Sequence, residues 1–150
     1  MSSEESGEPG DDMNTVCHSA LDLAVELLEK HHSVMPFAVV LLRSGDLRLV
    51  QLGPDVVTAD GTENLERVRS ILADGALKGL YTATAVASDV RVALLDSQEA
   101  ADTLRVEVEH IVSAPLNCFL PYRRTANGYA FDDGYLEPGS SLVFASPNQS

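Results

Sequence analysis

The residues of this chain whose types and spacing best suit chemistry are Glu107, Glu109 and His110, in the run Leu104-Arg105-Val106-Glu107-Val108-Glu109-His110. Two carboxylates two residues apart lie on the same side of an extended strand, and an imidazole follows them. Such a set would serve general acid–base chemistry if one carboxyl group were desolvated, so that its proton affinity rose toward neutrality. The same run alternates apolar and polar residues without a break, the period of a strand with one buried face and one wet face. Leu104, Val106 and Val108 take the buried side, and Arg105, Glu107 and Glu109 the wet side. His110 falls on the apolar parity, where a histidine hydrogen-bonded to backbone is expected. Nothing nearby foretells a pocket around Glu107, so the carboxylates read as solvated charges on an open sheet face, available to a partner.

A provisional register follows if residues 96–102 form the loop to the preceding strand. Arg91 then stands opposite Glu107, while Val90, Val92 and Leu94 oppose Val108, Val106 and Leu104. The same register sets Asp89 against Glu109, a like-charge pair.

Cys17, His18, His31 and His32 are metal-ligand types, but His18 and His31 would be roughly 20 Å apart on one helix at about 1.5 Å per residue. They cannot share an ion, and neither a metal nor another cofactor is expected. His31 and His32 read instead as positive charge at a helix C-terminus. Cys17 and Cys118 form no CxxC motif and read as free thiols of a cytoplasmic protein, with a disulfide between them as the alternative. Tyr122-Arg123-Arg124 is the one local basic cluster, with Tyr129, Phe131 and Tyr135 just beyond it. Aromatic plus arginine is the composition of interaction hot spots. The binding candidates are therefore Arg91, Glu107, Glu109, Tyr122, Arg123 and Arg124. The sequence has no GxSxG, no P-loop, no GxGxxG and no HExxH, which weighs against an enzyme.

These residues need elements to position them. Residues 1–11 read as a disordered acidic tail and 146–150 as a frayed C-terminus, leaving one domain over 12–145. A helix starts near Asp12 or Asn14, with Cys17, Ala20, Leu21, Ala24, Leu27 and Leu28 as its apolar stripe. Phe37–Leu42 and Leu47–Leu52 flank Ser44-Gly45-Asp46 as a hairpin. Asp60 and Glu63 resemble a capping box before a second helix with Leu65, Val68, Ile71 and Leu72 on its stripe. Strands follow over 82–95, 104–110, 116–122 and 129–131, and Ser141–Ala145 forms a short last strand. The expected fold is α+β, with two helices on one face of an antiparallel sheet and the order α-β-β-α-β-β-β(-β).

That element order resembles profilin-like and roadblock-like layer proteins. Pro36–Leu42 with Ser44-Gly45-Asp46, and Leu104–His110 with Leu120-Pro121-Tyr122, resemble stretches of small uncharacterised bacterial α+β proteins. The resemblance implies an α+β fold and brings no activity with it.

The formal net charge is −13 over 150 residues. Five of the acids (Glu4, Glu5, Glu8, Asp11 and Asp12) lie in the first twelve residues. An acidic surface repels phosphate backbones, so nucleic acid is not an expected partner. The longest apolar run, Val34–Leu42, is far short of the roughly 20 residues that span a bilayer, and no secretory signal is visible. The reading is a non-enzymatic acidic module that binds another protein, such as an inhibitor or immunity-type protein for a basic partner. Two alternatives stand beside it. One is a small-molecule sensor with a pocket drawing on Phe37, Tyr81, Cys118 and Phe119, and the other is an unfamiliar enzyme using Glu107, Glu109 and His110.

Overall fold

A computed structural model describes residues 9–93 and 100–144. The first helix, α1 (Pro9–His31), precedes the hairpin β1 (Phe37–Leu42) and β2 (Leu47–Gln51), and α2 (Gly61–Leu77) follows. Five strands complete the chain: β3 (Tyr81–Ala93), β4 (Ala100–His110), β5 (Leu116–Thr125), β6 (Gly128–Phe131) and β7 (Tyr135–Pro138). All seven strands form one antiparallel sheet in the order β2-β1-β3-β4-β5-β6, with β7 also pairing with β5.

The α+β class and the order of elements are as expected, but the helices do not share a face. Phe37, Val39 and Leu41 of β1 pack with Ala20, Ala24 and Leu28 of α1. Ala38 and Val40, on the other parity of the same strand, pack with Leu65, Val68 and Leu72 of α2. The sheet is thus sandwiched between two helices, which explains why β1 reads as an unbroken apolar run rather than an alternation. Small residues line the α1 side: Ala20 and Ala24 of the helix and Ala83, Ala85 and Ala87 of β3 are all buried, and the helix beds closely on the strand.

Several boundaries differ from expectation. The helix α1 opens at Pro9, a residue preorganised for a first helical turn, so residues 9–11 are helical rather than tail. Residues 1–8 and 145–150, where the rest of the tail and the frayed end were placed, lie outside the described residues. Asp60 caps α2 by accepting from the Thr62 and Glu63 amides, while Glu63 turns to Arg67 instead of closing the box. Buried Asn64 accepts from the Thr58 amide and donates to its carbonyl, which ties the 53–60 connection to α2. Ser141–Phe144 is not a strand. A bulge at the start of β3 pairs Tyr81 with Leu42 and turns its ring onto the α2 side. There the ring lies so close to Gly75 that a Cβ at that position would collide with the tyrosine hydroxyl.

The β3–β4 register also departs from expectation. Ala83 pairs with His110, Ala85 with Val108, Ala87 with Val106, and Arg91 with Asp102. Glu107 faces Val86, Glu109 faces Thr84, and Asp89 faces Leu104, so neither the Arg91–Glu107 pair nor the Asp89–Glu109 pair exists. The cause is that β4 begins at Ala100 and takes in residues 100–102, which had been assigned to the loop. The pairing is thereby shifted by an odd number of residues, so Ala85 and Ala87 replace Val90 and Val92 opposite Val108 and Val106.

Candidate functional site

The side of β4 expected to be wet is covered. Glu107 is 6% exposed and Glu109 4% exposed, on the α2 side of the sheet. Arg69, on α2 one position past buried Val68, reaches across β3 and grips Glu107 with both ends of its guanidinium: Nε donates to Oε1 at 3.0 Å and Nη2 to Oε2. Its Nη1 donates to Glu66 at 2.7 Å, and Arg105 approaches Glu107 from along β4 at 3.6 Å. A fork-to-carboxylate arrangement of this kind is directional as well as charged. The Glu107 carboxylate holds the Arg69 guanidinium above its already high ordinary value, against the opposing effect of burial.

Glu109 has a different partner. Its carboxylate accepts from three successive backbone amides, those of Leu142, Val143 and Phe144, at 2.9–3.1 Å. Val143 beside them is buried in the α2-side apolar cluster. The carboxylate thus straps the segment after β7 across the sheet. Within one strand, then, a carboxylate held by guanidinium and a carboxylate held by amides stand two residues apart.

His110 lies on the opposite side, under α1, as its parity foretold. Its Nδ1 accepts from the Val112 amide at 3.1 Å, and its Nε2 lies 3.0 Å from Oδ2 of Asp12 in the first turns of α1. An Nδ1 that accepts leaves Nε2 as the donor to Asp12 in the neutral ring. The pair borders a cleft of about 590 Å³ that also takes in Thr15, Arg43 and Thr82. Because the sheet separates His110 from Glu107 and Glu109, the three do not form one acid–base constellation. Phe37, Tyr81, Cys118 and Phe119 are divided in the same way. Phe37 and Cys118 pack on the α1 side and Tyr81 on the α2 side, while Phe119 stacks on Tyr135 of β7. They do not line one pocket.

The other binding candidates scatter. Arg91 donates to Asp102 at 2.8 Å on the exposed β3–β4 hairpin. Tyr122 is half-buried among Tyr129 and Phe131, and its hydroxyl donates to Asp89 at 2.8 Å. Burial raises the Asp89 carboxyl above its ordinary value, against the lowering effect of that bond. Burial and the Asp89 carboxylate together push the Tyr122 hydroxyl well up. Arg124 sits over the Tyr129 ring on the α1 side, 5.8 Å from its centroid. Arg123, on the other parity, pairs with Asp132 at 3.2 Å, so the two arginines do not make one basic patch. His32, in a left-handed conformation just past α1, hydrogen-bonds through Nδ1 to the Tyr129 hydroxyl at 2.9 Å, and the C-terminus of α1 is thereby fixed over the aromatic cluster.

A surface that the sequence reading did not single out lies at the other edge of the sheet. Among the described residues no strand pairs with the outer edge of β2. Leu47 and Leu49 are 40% and 48% exposed on the α1 side, where they pair with buried Leu41 and Val39. Beside them a cleft of about 330 Å³ runs between Leu27 and His31 of α1 and Met35, Gln51 and Leu52. The signal is present in the alternation of Leu47-Arg48-Leu49, but the order of strands that leaves β2 outermost has no local signal.

Among the described residues no group of three or more histidine, cysteine, aspartate or glutamate side chains is placed to hold a metal ion. No described helix is long and apolar enough to cross a membrane. Comparison of the chain with protein-family models, with curated proteins and with solved structures returns no match. The class that fold and surface define is a helix–sheet–helix α+β domain in which, among the described residues, the outer edge of β2 has no strand partner.

Proposed function

We propose that this protein works by binding another protein, which adds an extended segment to the open edge of β2. The observation that carries this reading is the pair Leu47 and Leu49, exposed on a strand whose outer backbone groups have no strand partner among the described residues. Natural sheets usually protect such an edge with charge, proline or a covering element, and an apolar unprotected edge is a template for pairing. The cleft alongside would accept apolar side chains of the added segment. Asp22, Glu26 and Glu29 stand on the exposed side of α1, and the net charge is −13. A segment carrying lysine or arginine beside its apolar residues fits that surface best, which is the chemistry of an acidic inhibitor or immunity-type protein facing a basic target.

The test compares the wild-type chain with a Leu47→Lys, Leu49→Lys variant as bait for proteins of its own cell extract, at low and high salt. A partner retained by the wild type, lost by the variant and weakened by salt is the expected result. Retention of the same partners by both baits contradicts the role of β2, and retention unchanged at high salt contradicts the basic partner.

A further inference from the structure

One row of side chains on the α1 side crosses three strands near their ends: Leu41 of β1 pairs with Ala83 of β3, and Ala83 with His110 of β4. The N-terminal end of α1 is pinned to this row by the bond between Asp12 and His110. The Arg43 amide donates to the Leu80 carbonyl, and the Ile111 amide to the Thr82 carbonyl, both at 3.0 Å. These bonds fix the turn after β1 and the segment after β4 on either side of the start of β3. The cleft of about 590 Å³ that these segments share with α1 is of small-molecule size.

Two opposite charges border that cleft. Asp12 is oriented by His110, whose Nδ1 accepts from Val112 and whose Nε2 donates to Oδ2. The other carboxylate oxygen, Oδ1, has no partner among the described residues. Arg43 is exposed on the turn, and its guanidinium has neither a hydrogen bond nor an ion pair among the described residues. Both charges face one cleft, yet no ion pair joins them. Half-buried Thr82, at the same cleft, has a hydroxyl without a partner among the described residues.

We propose that this cleft binds a free α-amino acid with an aliphatic side chain, its ammonium group on Asp12 and its carboxylate on Arg43. A simple anion would meet Arg43 and be repelled by Asp12, and a simple amine the reverse. A ligand that carries both charges satisfies both. The planar fork of Arg43, on a long side chain not held elsewhere, suits a carboxylate in particular, and the Thr82 hydroxyl can donate to the same group. The remaining border is apolar: Leu41 with exposed Ile111 and Val112. An aliphatic side chain laid against them removes apolar surface of both partners from water. The site lies at the Leu42 end of β1, whereas the cleft beside the β2 edge lies at its Phe37 end, so the two surfaces can be tested apart.

The test follows proton–nitrogen correlation spectra of the isotope-labelled wild-type chain during titration with L-leucine. Isocaproate, which lacks the ammonium group, isopentylamine, which lacks the carboxylate, and glycine, which lacks the side chain, are titrated beside it. Expected are saturable shifts at the Thr82, Ile111 and Val112 amides with L-leucine. Each half-ligand should bind at least about tenfold more weakly, since it leaves one charge of the cleft unmatched. Arg43→Gln, a change on an exposed turn, should weaken L-leucine by a similar factor while the spectrum away from the cleft stays that of the wild type. Leu47→Lys should leave L-leucine binding unchanged. No saturable shift at millimolar L-leucine overturns the site. Isocaproate binding as tightly as L-leucine overturns the role of Asp12, and undiminished binding by Arg43→Gln overturns that of Arg43. Glycine binding as tightly as L-leucine overturns the apolar part of the site.

Discussion

The two sides of β4 solve burial in opposite ways. Toward α1, Leu104, Val106 and Val108 are at most 3% exposed and pack against alanines and the apolar stripe of the helix. Toward α2, Glu107 and Glu109 are almost as buried, but each is fully engaged, one by the Arg69 fork and one by three backbone amides. The first side is held by the removal of apolar surface from water, which is non-directional. The second is held by directional bonds to groups that must arrive from distant parts of the chain. An apolar side tolerates approximate partners, whereas a buried charge with a partner missing is costly. The comparison teaches that alternation along a strand reports two faces of different chemistry, and does not report that the polar one is wet.

The largest expected effect breaks the ionic side. Glu107→Ala leaves Arg69 and Arg105 facing each other without their shared carboxylate, and should cost about 3–5 kcal/mol in chemical denaturation, as removal of one partner of a buried pair does. On the apolar side Leu104→Ala should cost about 3 kcal/mol through lost burial and the cavity left under α1. The two sides are thus distinguished less by magnitude than by repair: Leu104→Met should recover most of the loss, while Glu107→Gln, which keeps the shape but not the charge, should recover little. Glu109→Gln is expected to cost about 1–3 kcal/mol, since one amide oxygen cannot satisfy three donors. Its signature is local: hydrogen exchange at the Leu142, Val143 and Phe144 amides should quicken while the β3 and β4 amides stay protected. Arg91→Ala marks the low end, at under about 1 kcal/mol, because its bond to Asp102 is largely exposed.

What the sequence could reveal follows from the same contrast. The hairpin β1–β2, the capped helix α2 and the strand β4 were legible because periodicity and turn chemistry are local. The buried parity of His110 was legible for the same reason. The partners of Glu107 and Glu109 were not, because Arg69 reads as an ordinary helix-surface residue and backbone amides of Leu142–Phe144 have no side-chain signature. The second helix layer has one local sign, that both parities of β1 are apolar: Ala38 and Val40 require a cover of their own, which α2 supplies. The expected register fails on three residues, Ala100, Ala101 and Asp102, whose small and polar side chains look like loop and belong to β4.

The charged side of β4 is an interior built on the Glu107–Arg69 pair. A double-mutant cycle tests it most directly: Glu107→Leu, Arg69→Met and the two combined, each measured by urea denaturation. Each single change is expected to cost about 3 kcal/mol or more, and the combined variant to be far more stable than the sum of the two losses implies, because neither charge is then left unpaired. Single losses under about 1 kcal/mol that simply add would contradict it and return Glu107 to the solvent.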